Sequence, residues 1–208
     1  MKCDYSLYLV TDRAILGGRD LGQAVEDALR GGVTLVQLRE KDTSSRDFYQ
    51  IALALKDLAV KYQVPLIIND RLDIALAVDA DGIHIGQEDL PLQVARCLLG
   101  PEKIIGYSVS NIEEAVYGEK YGADYLGAGP VYTTTTKAVT IQPLGVEGLR
   151  NIKNSVSIPV VGIGGINLDN VREVKKSGAD GVSIVSGILG SLDPDCTSRK
   201  LCEAWQQG

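Results

Sequence analysis

The chain has one histidine in 208 residues, His84. Histidine-rich metal chemistry is therefore excluded, and a Ser-His-Asp triad would have a single candidate base. Its four cysteines, Cys3, Cys97, Cys196 and Cys202, fall in no metal-ligand spacing and read as reduced cytosolic thiols. There is no basic excess: 21 Lys and Arg face 27 Asp and Glu, a formal net charge of −6. Nucleic-acid binders favour a basic surface, so a nucleic-acid partner is not expected. No apolar run approaches the length of a membrane span, and Met1-Lys2-Cys3-Asp4-Tyr5 does not read as a secretory signal. A cytoplasmic protein with no membrane partner is expected.

What is present is ordinary globular composition, 45% hydrophobic and 23% charged, at a length that suits one domain over residues 1–208. Short apolar runs at 6–11, 34–38, 66–69, 82–85, 104–108, 125–127, 159–163 and 181–185 read as strands buried on both faces. Helical periodicity fills 21–30, 47–62, 72–78, 90–99, 112–121, 146–153 and 168–177, with a closing helix at 199–206. Several helices leave through similar turns, among them Gly31-Gly32-Val33, Gly122-Ala123-Asp124 and Gly178-Ala179-Asp180, where glycine can end a helix in a left-handed conformation. One αβ unit repeated eight times predicts an α/β fold, a single (β/α)₈ TIM barrel. A doubly wound sheet would carry a glycine-rich first turn, which this sequence lacks.

Active sites in such barrels form at the C-terminal ends of the strands, so each strand's exit carries the functional argument. The third and fourth runs end in Asn69-Asp70 and Gln87-Glu88-Asp89. Neighbouring parallel strands would bring Asp70 and Asp89 to one rim. Two carboxylates there suit Mg²⁺, which takes one or two carboxylates and completes its shell with water and substrate phosphates. Alternatively, each aspartate begins the next helix as an N-cap. At the second exit, Gln37, Arg39 and Lys41 share a face if the extended period persists and could hold a phosphate-like anion. The alternative is a charged loop in which Glu40 and Asp42 pair with those cations.

At the fifth exit, Ser110 and Glu113 fit a capping box, which leaves Ser108 as a donor at the mouth. The sixth opens a long non-periodic stretch, Gly127 to Gly145, containing Thr133-Thr134-Thr135-Thr136-Lys137; a binding loop or lid is expected. The seventh and eighth exits, Gly164-Gly165 and Val185-Ser186, fit a backbone phosphate site. His84, between Ile83 and Ile85, points into the barrel as a satisfied core histidine rather than a catalytic one.

Taken in order, Gln37-x-Arg39-x-Lys41, Asn69-Asp70, Gly86-Gln87-Glu88-Asp89, Gly106-x-Ser108, Thr134-x-Thr136-Lys137, Gly162-x-Gly164-Gly165 and Val185-Ser186 resemble thiamine-phosphate synthases over nearly the whole chain. The resemblance implies a transferase that joins 4-amino-5-hydroxymethyl-2-methylpyrimidine diphosphate to a thiazole phosphate or its carboxylate, releasing pyrophosphate. Both are small-molecule substrates, and Mg²⁺ is the implied cofactor. By the same resemblance, Gln37, Arg39, Lys41, Asn69, Ser108 and Lys137 bind the pyrimidine diphosphate, with Arg39, Lys41, Lys137 and Ser108 assisting catalysis. Asp70 and Asp89 hold the metal. Thr134, Thr136, Gly165, Val185 and Ser186 seat the thiazole phosphate. Family members often carry a proline within the threonine loop and an acidic residue after its lysine; here the segment reads Thr133 to Lys137, then Ala138-Val139. A sister group that tautomerises the thiazole carries a histidine in the sixth-strand loop, where this chain has Gly129-Pro130-Val131-Tyr132. Another phosphate-binding barrel would not require the Asp70 and Asp89 pair, and a regulator that only binds one phosphate compound would not need all of Arg39, Asp70, Asp89 and Lys137.

Overall fold

The computed structural model describes residues 3–134 and 142–208. Strands β1 (Leu7–Val10), β2 (Leu35–Leu38), β3 (Leu66–Asn69), β4 (Gly82–Ile85), β5 (Ile104–Val109), β6 (Tyr125–Ala128), β7 (Val160–Ile163) and β8 (Gly181–Ile184) pair in parallel in sequence order. β8 returns to β1, with Tyr8 opposite Ser183, and closes the barrel. This is the (β/α)₈ architecture that the alternating runs predict.

Helices α1 (Leu21–Arg30), α2 (Ser45–Tyr62), α3 (Leu72–Ala77), α4 (Leu92–Leu99), α5 (Ile112–Lys120), α6 (Gly145–Ser155), α7 (Val171–Lys175), α8 (Ser186–Leu189) and α9 (Pro194–Gln206) lie between and after the strands. The start of α1 is set by Asp20, which accepts the Gln23 N–H at 2.8 Å. Its buried stripe, Leu21, Ala24, Val25, Ala28 and Leu29, has the spacing of one helical face. The left-handed residues that close the turns are Gly32 (φ 102°), Gly122 (φ 97°) and Gly178 (φ 86°), positions where a Cβ would be strained.

The aspartate that follows such a turn has its own task. Asp81 accepts the Leu66 N–H and pairs with Lys56; Asp124 accepts the Ile105 N–H and pairs with Arg96; Asp180 accepts the Val160 N–H and pairs with Lys153. Each ties the start of a strand to a preceding helix at the face opposite the site. A charge-assisted hydrogen bond of this kind exceeds an ordinary neutral one.

Two cores result. Alternate strand residues Leu7, Leu9, Val36, Leu38, Ile68 and Ile83 pack outward against the helices. The inward set, including Tyr8, Val10, Leu35, Ile67, Tyr125 and Val161, fills the barrel itself. Being apolar on both faces, the strands show no alternation in sequence.

Three local expectations are corrected. The cap of α5 is Asn111, not Ser110: Asn111 accepts the Glu114 N–H at 2.8 Å, and the Glu114 carboxylate takes the Ser110 N–H and hydroxyl. The stretch 168–177 is helical only over Val171–Lys175, because Asn167 and Asn170 build a side-chain-bonded turn ahead of it. The final helix starts at Pro194, under an Asp193 cap that accepts the Cys196 N–H, and proline suits a first helical turn.

Candidate active site

β3 and β4 lie side by side, Asn69 opposite His84, and the Asp70 N–H donates to the His84 carbonyl at 2.9 Å. Asp70 has φ 59°, in the left-handed region that is uncommon for a non-glycine residue though more open to aspartate than to most. Neither aspartate caps a helix: α3 begins after Arg71 and α4 after Pro91. Instead Asp89 turns back and accepts the Gly86 N–H at 2.7 Å. The two carboxylates face each other. Burial, and then the charge and proximity of Asp89, push the Asp70 carboxyl above the usual carboxylate range, while Lys41 pulls it down.

The basic side of the rim comes from β2. Lys41 Nζ stands 3.5 Å from Asp70 Oδ2. Arg39 lies toward the other neighbour, its Nη1 3.4 Å from Asp12 Oδ2 at the β1 exit, with its N–H donated to Thr11 Oγ1 at 3.0 Å. The extended period ends with β2 at Leu38, so the two cations flank the exit rather than sharing one face. The local-pairing alternative also fails for Glu40. Its buried carboxylate takes Arg13 and the Thr43 hydroxyl, leaving Arg39 and Lys41 to the rim.

Below this rim, Gln37, Asn69, His84 and Ser108 occupy inward positions on β2, β3, β4 and β5. Gln37, Asn69 and His84 are buried. Buried polar groups need partners, and Gln37 and His84 find theirs in one chain. Gln37 Nε2 donates to the Tyr8 hydroxyl at 2.5 Å, Tyr8 lies 2.7 Å from the Tyr125 hydroxyl, His84 Nδ1 meets Tyr125 at 2.9 Å, and His84 Nε2 meets Ser108 Oγ at 2.9 Å. The expected core histidine is therefore satisfied, on two sides. Gln87 braces the next loop by donating to the Ser108 carbonyl and accepting from the Tyr107 hydroxyl.

The opposite side of the mouth is backbone. Gly164 and Gly165 have φ 97° and 67°, and a Cβ on Gly165 would come within 2.7 Å of the Thr133 carbonyl. Val185 ends the β8 exit and Ser186 opens α8, whose first N–H groups have no intrahelical acceptor. A Cβ on Gly187 would meet the Ile166 carbonyl at 3.4 Å, so the two exits adjoin. The β6 loop is tied at its neck, where Leu144 and Gly145 donate to the Pro130 and Val131 carbonyls at 2.8 and 3.0 Å. Thr134 is among the described residues; Thr136 and Lys137 lie outside them.

Among the described residues, no group of three His, Cys, Asp or Glu side chains is gathered as a metal cage. Two carboxylates beside a lysine fit a hard cation whose remaining ligands come from water and a substrate phosphate, the Mg²⁺ pattern. Reading the sequence missed Tyr8, Tyr125 and Asp12. Their signal was the two-residue period: Tyr8 is in step with Val10, and Tyr125 with Gly127.

Comparison with known proteins shows the family. A family model described as thiamine monophosphate synthase matches residues 7–188. The thiamine-phosphate synthase of Desulfitobacterium hafniense (strain Y51) is 55% identical over 206 residues, covering 99% of this chain and 100% of the relative. That of Clostridium acetobutylicum is 59% identical over 188 residues, 90% of this chain and 89% of the relative. The solved thiamine phosphate pyrophosphorylase from Pyrococcus furiosus superposes with a TM-score of 0.91 at 43% identity, covering 99% of this chain and 97% of that one. The chain belongs to the thiamine monophosphate synthase family, transferases of thiamine biosynthesis.

Proposed function

We propose that the rim transfers the pyrimidinylmethyl group of 4-amino-5-hydroxymethyl-2-methylpyrimidine diphosphate to the nitrogen of a thiazole phosphate, giving thiamine phosphate and pyrophosphate; from the thiazole carboxylate, carbon dioxide would leave as well. The observation that carries this is the Asp70 and Asp89 carboxylate pair abutting Lys41, an arrangement suited to a metal-bridged diphosphate. Asp70 and Asp89 would hold Mg²⁺, which when bound supplies Lewis-acid neutralisation of phosphate charge. Arg39, Lys41 and Lys137 bind the diphosphate oxygens, Gln37 and Asn69 the pyrimidine, and Ser108 donates to the leaving group. Thr134, Thr136, Gly165, Val185 and Ser186 seat the thiazole phosphate at the glycine-lined side of the mouth.

The bond from the methylene carbon to the diphosphate oxygen breaks first, and its electron pair leaves with pyrophosphate. The cation that remains is stabilised by the amino-substituted ring, and the thiazole nitrogen's lone pair forms the new C–N bond. No protein nucleophile is needed, and no proton must be abstracted. The chain's contribution is charge neutralisation at the leaving group, alignment of two substrates and exclusion of water that would capture the cation. That fits a site whose one histidine is spent on Tyr125 and Ser108. The same placement, in β4 rather than after β6, weighs against a thiazole tautomerase.

Net charge and cysteine usage support a cytoplasmic enzyme acting on small molecules without nucleic-acid or membrane partners. No helix among the described residues is long and apolar enough to cross a membrane. The test of bond order is substitution on the pyrimidine: electron-withdrawing groups should slow turnover steeply. A rate indifferent to them, with the same product, contradicts cation formation.

A further inference from the structure

The buried chain from Gln37 to Ser108 has a property beyond satisfying its members. Tyr8 and Tyr125 are buried inside the barrel, and burial pushes both phenols well above their ordinary pKa, so each keeps its proton and donates one hydrogen. With Gln37 Nε2 donating to Tyr8, the Tyr8 proton passes to Tyr125 and the Tyr125 proton to His84 Nδ1. The ring proton then sits on Nε2 and is donated to Ser108 Oγ. The Ser108 hydroxyl proton is left for the mouth. Turning the Gln37 amide over reverses every member: its carbonyl accepts from Tyr8, His84 carries its proton on Nδ1, and Ser108 donates inward. With a neutral imidazole, these five hydrogen-bonded groups have two continuous orders.

The barrel is cut to fit this chain. Gly106 and Gly127 occupy the inward positions beside it. A Cβ on Gly106 would overlap the Tyr125 hydroxyl and His84 Nδ1, and one on Gly127 would press on His84 Cε1 at 3.0 Å.

We propose that Tyr8, Tyr125 and His84 are positioning residues that lock Gln37 and Ser108 into complementary roles across the barrel. Gln37 presents its carbonyl and one amide hydrogen, the complement of an aminopyrimidine edge, and Ser108 presents a donor, the complement of a diphosphate oxygen. The matching to substrate rests on the ligand roles proposed above; the proton order itself does not. In the reverse order Gln37 would show only donors, and Ser108 would turn lone pairs toward an anion. The three residues thus act through Gln37 and Ser108 and touch none of the reacting atoms.

Because His84 is the chain's one histidine, protein grown on ¹⁵N-histidine reports this order directly, without substrate. Long-range ¹H–¹⁵N correlation should show a single tautomer protonated at Nε2. In Gln37→Glu the new carboxylate can only accept from Tyr8, and the tautomer should switch to Nδ1–H through the two intervening tyrosines. A wild-type ring protonated at Nδ1 or divided between tautomers, or a folded Gln37→Glu protein with an unchanged tautomer, overturns the relay. Should the buried charge unfold the barrel, Tyr8→Phe carries the test: loss of that one hydroxyl should replace the single tautomer with a mixture, and an unchanged single tautomer overturns it. In turnover, Tyr125→Phe should lower kcat/KM for the pyrimidine diphosphate about tenfold, the scale of one misdirected hydrogen bond, with the KM for thiazole phosphate unmoved. If the wild type makes no thiamine phosphate, the functional reading fails while the tautomer measurement still decides the relay.

Discussion

Lys41 Nζ lies 3.5 Å from Asp70 Oδ2, joining the cationic exit of β2 to the acidic exit of β3. Lys41 is half exposed, and an ion pair in that setting contributes at most about 1 kcal/mol to stability. Its value is positional: it offsets part of the repulsion between Asp70 and Asp89 and leaves an ammonium beside the place a diphosphate would occupy. Lys41→Gln should therefore change the melting temperature little while lowering kcat/KM for the pyrimidine diphosphate about 10²-fold, the scale of one lost charge contact in a preorganised site. Steady-state kinetics alongside a thermal melt separate the two effects.

Asp70 should be a residue whose removal stabilises the fold. Its pKa is raised in the folded protein by burial and by Asp89, so the native state binds its proton more readily than the unfolded chain does. Stability from this group is greatest at low pH and falls as pH rises from the ordinary carboxylate value through the raised one. Asp70→Asn removes that penalty. In metal-free buffer at neutral pH the variant should melt higher, by about 2–4 °C for each kcal/mol recovered, and the difference should shrink on acidification. Its turnover should be lost, the trade expected when a destabilised residue serves function.

Ligand-linked stability tests the metal reading without catalysis. Mg²⁺ with pyrophosphate should raise the melting temperature, with about 2.7 kcal/mol of stabilisation at a hundredfold excess over the dissociation constant. Asp89→Asn retains an acceptor for the Gly86 N–H and should fold, yet show little of that rise. An equal rise in the variant would place the cation elsewhere.

Asp12 holds Arg39 from β1 at 3.4 Å and caps a 3₁₀ turn by accepting the Ala14 N–H at 3.0 Å. Asp12→Asn keeps the cap and loses the charge. The expected outcome is a loss of about three- to tenfold in kcat/KM for the pyrimidine diphosphate, the scale of one charge-assisted hydrogen bond acting through another residue. A thermal melt near wild type would confirm that the fold is intact.

What could be read in the sequence followed local signals. Asp70 and Asp89 stood out because a parallel neighbour rule places consecutive strand exits together, and the helix-ending glycines showed the repeat. Long-range choices did not show. Glu40 turns to Arg13, 27 positions away, rather than to its neighbours Arg39 and Lys41. Tyr8 is hidden in Leu7-Tyr8-Leu9-Val10, whose residues are all buried, so the two-residue period pairs it with Val10 without marking which face points inward. α8, at four residues, is too short for helical periodicity to register. The slip from Ser110 to Asn111 arose because both residues are good caps with a glutamate three positions on. The threonine loop's Thr136 and Lys137 lie outside the described residues, and their roles stand on the resemblance.

The most direct test of the account is a Mg²⁺ titration of metal-stripped protein with both substrates present, following thiamine phosphate and pyrophosphate together. The two products should appear one for one, from near zero without Mg²⁺ to a saturable rate, and Asp70→Asn or Asp89→Asn should abolish the response. No thiamine phosphate at saturating Mg²⁺, or an undiminished rate in chelator, would contradict the claim that this carboxylate pair serves diphosphate departure.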